Sequence, residues 1–188
     1  MEDAQLILTK NAILQKVNEL LSNIHELQKE HLASLSHRLP ADLFLNNGKI
    51  AKGENYQGLP YRMLDYPAFF KQDNILAIRT MFWWGHFFSI TLHISGDFKS
   101  MMEKRLLAAF DKFDKQGLYC STSDDQWHHD LESTNYALVN AIGRKAFEQN
   151  LREKDFIKLA YKIPLKQWDK AEDKLVEYFK GMTSWLKN

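Results

Sequence analysis

One cysteine in 188 residues, Cys120, leaves no internal disulfide framework and no cysteine-only zinc site. It suits a reducing compartment, and the expected location is cytoplasmic. No charge of one sign dominates: 25 Lys and Arg stand against 24 Asp and Glu, a formal net charge of +1. General nucleic-acid binders carry a large basic excess, so that class is not expected. The common chemical signatures are missing as well. There is no Gly-x-Gly-x-x-Gly, no phosphate-binding loop ending Gly-Lys-Ser/Thr, no His-Glu-x-x-His and no Gly-x-Ser-x-Gly. Common nucleotide-dependent enzymes and simple hydrolases are thereby disfavoured, and no cofactor is expected. Residues 1–5 are acidic where a secretory signal is basic, and no long apolar run follows, so no signal peptide is expected.

What is present is a chain that folds. It is 45% hydrophobic and 26% charged, which excludes intrinsic disorder, and its length suits one domain spanning residues 1–188. The longest apolar stretch, residues 75–94, matches the length of a membrane span. A span would place Arg79, His86 and His93 in lipid, which is costly. A β-hairpin fits better: Ile, Thr, Phe and Trp favour strands, and Trp83-Trp84-Gly85 supplies a three-residue connection. That register pairs Phe82 with His86, Thr80 with Phe88, Ile78 with Ile90 and Leu76 with Leu92. One face is then apolar, and the other carries Arg79, Ser89, Thr91, His93 and Ser95. No membrane association is expected.

Helical spacing marks residues 4–37, with a stop near Pro40. Its Leu6, Ile13, Val17, Leu20, Ile24 and Leu27 form a seam that Leu14 and Leu21 widen. The width favours packing on a globular core over a narrow coiled coil. A homodimer through this helix stays open beside the monomer. Residues 39–71, punctuated by Pro40, Gly48, Gly53, Gly58, Pro60 and Pro67, read as a long loop. Further helices are expected over 99–115, from Ser133 or Thr134 to about 152, and over 165–187. Short strands are expected over 118–122 and 156–163. Together these predict an α+β fold: two layers, an antiparallel or mixed sheet with helices on one face, and a long N-terminal helix.

Two regions concentrate residues suited to binding. The stretch 52–67 combines Tyr56, Tyr61 and Tyr66 with Arg62 and Asp65, which supply broad contacts and directional hydrogen bonds. The polar sheet face would present Arg79, His93, Lys158 and Lys162 beside Ser89 and Thr91, a setting for a phosphate, a carboxylate or an acidic peptide. Trp83, at the hairpin tip, adds an aromatic contact. The candidate ligand-binding residues are therefore Arg62, Asp65, Tyr66, Arg79, Trp83, His93 and Lys158, with no catalytic residue assigned. The run Asp124, Asp125, His128 and His129 holds metal-ligand types. Adjacent histidines diverge, so a solvated turn is preferred and no metal site is assigned.

The reading that follows is a ligand- or protein-binding domain, its partner a small anionic ligand or a protein. Arg62→Ala and Arg79→Ala would then weaken binding while leaving the melting temperature nearly unchanged. One alternative is a small metal-dependent hydrolase or nuclease-like enzyme recruiting Asp97, Asp124, Asp125 and Lys158. Another is a pocket for an apolar ligand against Phe82, Trp83, Phe87 and Phe88.

Overall fold

Apolar alternation over residues 75–94 produces the central hairpin of the sheet. In the computed structural model, which describes residues 4–39, 41–113 and 117–186, the strands are β1 (Lys49–Tyr56), β2 (Leu59–Lys71), β3 (Asn74–Trp83), β4 (Phe87–Ser95), β5 (Tyr119–Ser121), β6 (Tyr136–Leu138) and β7 (Phe156–Pro164). The helices are α1 (Ala4–Ser34), α2 (Gly96–Ala108), the single turn α3 (Phe110–Phe113), α4 (Val139–Glu153) and α5 (Ala171–Leu186). Seven strands lie in the order β1-β2-β3-β4-β7-β5-β6, every neighbouring pair antiparallel. Helices α1, α2, α4 and α5 pack on one face of that sheet, which makes the fold α+β in two layers. No described helix is long and apolar enough to cross a membrane.

The hairpin turns one residue later than expected. Trp83 pairs with Phe87 across Trp84-Gly85-His86, and Phe82 pairs with Phe88 instead of His86. Gly85 sits at the centre of the turn with φ +77°, a conformation that glycine adopts without strain. Moving the turn by one residue shifts the register by two, and an even shift keeps every side chain on its own face. Leu76, Ile78, Phe82, Phe88, Ile90, Leu92 and Ile94 all enter the core beneath the helices. Each such side chain contributes about 1.5–3 kcal/mol by leaving water.

Helix α1 lies on the sheet and on α5, as the wide stripe implied. Its buried line is Leu14, Val17, Leu21, Ile24, Gln28 and Leu32, so the stripe centres beside the expected seam. Leu27 is exposed, and so are Ile7 and Leu8 in the first turns. Pro40, the expected stop, lies outside the described residues, as do the ends of the helices expected to reach 115 and 187.

Two expectations fail. Most of 39–71 is a pair of strands. β1 is a largely exposed edge strand carrying Lys49, Lys52, Gly53 and Glu54, a composition that guards an edge and hides the strand in the sequence. Gly53 in β1 lies directly beneath the ring of Tyr61, where no Cβ fits. In β2, Pro60 stands near the strand start and Pro67 at an irregularity between Asp65 and Ala68, places where a missing N–H does little harm. Second, Ser133 and Thr134 do not cap a helix: β6 intervenes and α4 starts at Val139.

Candidate functional site

Strand parity decides where the candidate residues point. Asp65 pairs with Arg79, and His93 with Lys158, all on the sheet face away from the helices, which Trp83 shares at the hairpin end. Arg62 and Tyr66 lie on the opposite face. Arg62 pairs with Phe82 and reaches Glu54 and its neighbour's carbonyl, Tyr61 O. Tyr66 is buried in the helix-side core with its ring against His25. Five of the expected residues thus share one face, and two leave the site.

That face is not open to solvent, contrary to expectation. Residues 122–135, linking β5 to β6, fold back over it as a compact loop of the Ω type. Its neck is closed by Thr122, whose N–H and hydroxyl donate to Asn135 O and Thr134 O at 2.9 and 2.8 Å. Lys154 Nζ donates to the carbonyls of Thr122 and Ser123 and to Asp124, at 2.8–3.0 Å. Further along, Lys158 Nζ donates to Gln126 O at 3.0 Å and to His128 O. At the aromatic end, the His129 N–H donates to the Tyr56 hydroxyl, the Tyr136 hydroxyl donates to His128 O, and Leu131 packs with Met63, Met81, Trp83 and Phe87. His86 stacks on Trp83 and meets Glu132, which Lys162 also reaches.

Beneath the loop lies a continuous polar cluster. Arg79 holds Asp65 in a two-pronged pair, Nε to Oδ1 at 2.6 Å and Nη2 to Oδ2 at 2.8 Å. Its remaining Nη1 meets His129 Nε2 at 2.9 Å. His129 Nδ1 lies 3.4 Å from Lys158 Nζ, and His93 Nε2 lies 3.0 Å from Gln126 Oε1. Burial, with Lys158 and Arg79 close by, drives His93 down to about 3 and His129 to about 2. Both imidazoles are neutral at pH 7. Burial and then Arg79 lower Lys158 to about 7, opposed by Asp125.

At its other end the face opens into a cleft of about 730 Å³, lined by Ser95, Phe156, Gln126 and Gly96 together with Asp73, Asp124, Glu153, Lys154 and Asp155. Gln126 belongs to both places, lining the cleft while its side chain meets His93. The mouth carries four carboxylates and one lysine, and that lysine is engaged by Asp124 and the loop. Arg79 is taken by Asp65. An arriving anion therefore meets repulsion first and no unengaged cation among the groups described, which removes the electrostatic basis of the expected anionic ligand.

The other candidates separate. Among the described residues, no group of three or more His, Cys, Asp or Glu side chains is placed to hold a metal ion. His128 and His129 diverge: His128 turns to Ser123 and Asp125, and His129 turns inward. Asp97 receives the Asn74 amide and Asp124 receives Lys154, so the carboxylates proposed for a hydrolase are engaged separately. Phe82 and Phe88 lie on the helix side, Trp83 and Phe87 on the other, so the four do not wall one pocket. Trp84 instead lines a shallow apolar groove with Ile13, Leu165 and Trp168.

Sequence reasoning missed Tyr136 and the inward roles of His129 and Gln126. A usable signal was Lys158 itself, a lysine flanked by Ile157 and Leu159 in a strand that is apolar on both faces around it. A cation in that setting needs a polar cover. Compared with models of protein families, with curated proteins and with solved structures, the chain matches none.

Proposed function

We propose that the chain is a binding domain that admits a small polar ligand, neutral or cationic, at the cleft end of the polar face beneath loop 122–135. One observation carries the reading: Gln126 joins the open cleft to the buried cluster of His93, Lys158, His129 and Arg79. A group entering the cleft meets Ser95, Phe156 and Gln126, and the Gln126 side chain there is the one that meets His93. Pockets of several hundred Å³ with a few convergent polar groups are the usual geometry of small-ligand sites. The acidic mouth supplies the selectivity, attracting cations and repelling anions.

The test is a screen of small amines, amides, polyols, carboxylates and phosphates, read by backbone amide shifts in ¹⁵N-labelled protein. Amines or neutral polar compounds should move Ser95, Gln126 and Phe156 together. Hits confined to the apolar groove at Trp84 and Trp168, hits restricted to anions, or no hits at all would refute the reading.

A further inference from the structure

We propose that Lys158 is stored as an uncharged amine and is a nucleophilic site for a small aldehyde or ketone. The ligand site proposed above supplies only the route of entry; the protonation argument stands on geometry. An arginine side chain has donors and no acceptor. With Arg79 Nη1 at 2.9 Å, His129 Nε2 must therefore accept, and the one hydrogen of this neutral ring sits on Nδ1. That hydrogen faces Lys158 Nζ, 3.4 Å away. An ammonium has three hydrogens and no lone pair, so it would oppose N–H to N–H. A neutral amine has two hydrogens and one lone pair. Its hydrogens match Gln126 O and His128 O, and its lone pair matches His129 Nδ1–H.

Charged and titratable groups face the amine from several elements. From β3 comes the Arg79 cation, from β2 the Asp65 carboxylate that Arg79 already holds, and from β4 the neutral His93. Of the loop groups, Asp125 favours the ammonium, but it is half exposed and turned to His128. The Tyr136 ring of β6, 5.4 Å from Nζ, favours it too. Against these stand burial of Lys158, which is 1% exposed, and the repulsion of Arg79. These lower its pKa to about 7, in keeping with the donor and acceptor count.

The chemistry needs no redox partner. The amine lone pair attacks the carbonyl carbon, forming the N–C bond as the carbonyl π pair moves to oxygen. A proton passes from nitrogen to that oxygen, giving a carbinolamine. The oxygen then leaves as water, taking the second amine proton, and the C=N bond of an imine remains.

The experiment incubates the intact protein with propionaldehyde and traps imines with cyanoborohydride. Peptide mass spectrometry then follows each lysine between pH 6 and pH 10. At pH 7, lowering a lysine from 10.5 to about 7 enriches its amine form by roughly three orders of magnitude. Lys158 should label faster than exposed Lys52 and Lys71 at pH 7, and its advantage should vanish by pH 10. In parallel, the ¹⁵N resonance of Lys158 Nζ should report an amine with two attached hydrogens above pH 7. Lys158 left unlabelled while Lys52 and Lys71 react, or an ammonium titrating near 10, would overturn the proposal. The two readings fail separately. Fragments that fill the cleft while Lys158 stays inert defeat this inference alone, and Lys158 labelling with no cleft shifts defeats the cleft reading alone.

Discussion

Replacing Arg79 with methionine tests whether the polar cluster is part of the fold. Methionine keeps much of the side-chain bulk and removes the charge and all three contacts. Asp65 loses its two-pronged partner, and His129 Nε2 loses the donor that fixes its tautomer. Breaking a fully buried ion pair from one side costs about 3–5 kcal/mol. The side chains here are 12% and 23% exposed, so water reaches the stranded carboxylate, and the expected loss is about 2–4 kcal/mol. For a chain of this size that corresponds to a melting temperature lower by roughly 4–16 °C. This reverses the near-neutral effect expected of Arg79→Ala from the sequence, because Arg79 is built into the covered face. Urea unfolding at pH 7 measures the loss, with Asp65→Ala and the double variant Asp65→Ala/Arg79→Met completing a cycle. Removing both partners should recover part of the loss, since no unpaired carboxylate is left. A single-variant change below about 0.5 kcal/mol, or strict additivity in the cycle, would refute the reasoning.

Stability should fall as the pH drops below 6.5. His93 and His129 are held neutral in the folded chain, with values of about 3 and about 2 against an ordinary 6.5, so the unfolded chain takes up more protons there; replacing His129 with glutamine should flatten that slope in urea titrations. The same sign applies to Lys158 between about 7 and 10.5, where stability should rise with pH, and Lys158→Met should abolish that rise. Gln28 is fully buried in α1, its amide reaching Thr80 at 3.5 Å and its Oε1 without a partner among the described residues; Gln28→Leu should raise stability by about 1 kcal/mol, and a loss of that size would mean that the Thr80 contact outweighs the unpaired oxygen. Lys154→Met should leave global stability within about 1 kcal/mol yet accelerate hydrogen exchange at Gln126, His128 and His129, and unchanged exchange would mean that the neck does not hold the loop.

The hairpin was legible because its period is two, and a register error of two residues cannot move a side chain across the sheet. The same parity put Arg79, His93 and Lys158 on one face, and Trp83, expected in the turn, joins them because the turn comes one residue later. It could not be applied to Arg62, Asp65 and Tyr66, because β2 was hidden by its prolines and by the polar edge strand beside it. Once the strand is seen, alternation sends Arg62 to the helix side and Asp65 to Arg79. The loop was harder. Ser123, Asp125, Asp130 and Ser133 fold it locally through side chain-to-backbone bonds, and these read as an exposed turn. What carries it onto the sheet is tertiary: two lysines distant in sequence and Leu131 entering the second apolar cluster.

The cover and the site depend on the same bonds. A loop without repetitive structure leaves backbone carbonyls that no strand satisfies, and buried carbonyls need donors. Lys154 serves Thr122 and Ser123 at the neck, and Lys158 serves Gln126 and His128 over the cluster. An apolar plug would cover the sheet face but leave those carbonyls unpaired, so a lysine is the economical filling for this position. Its neutral form fits the closed loop, with two hydrogens for two carbonyls and a lone pair for His129 Nδ1–H. Protonation adds a third hydrogen that the closed geometry turns against that N–H, beside Arg79. Opening the loop returns Lys158 toward solvent and toward its ordinary value, so each proton taken up near pH 7 favours the open form. The charge on Lys158 and the closure of the loop are therefore linked, and a carbonyl compound must reach the neutral amine by way of the cleft at Gln126, with the neck of the loop still closed.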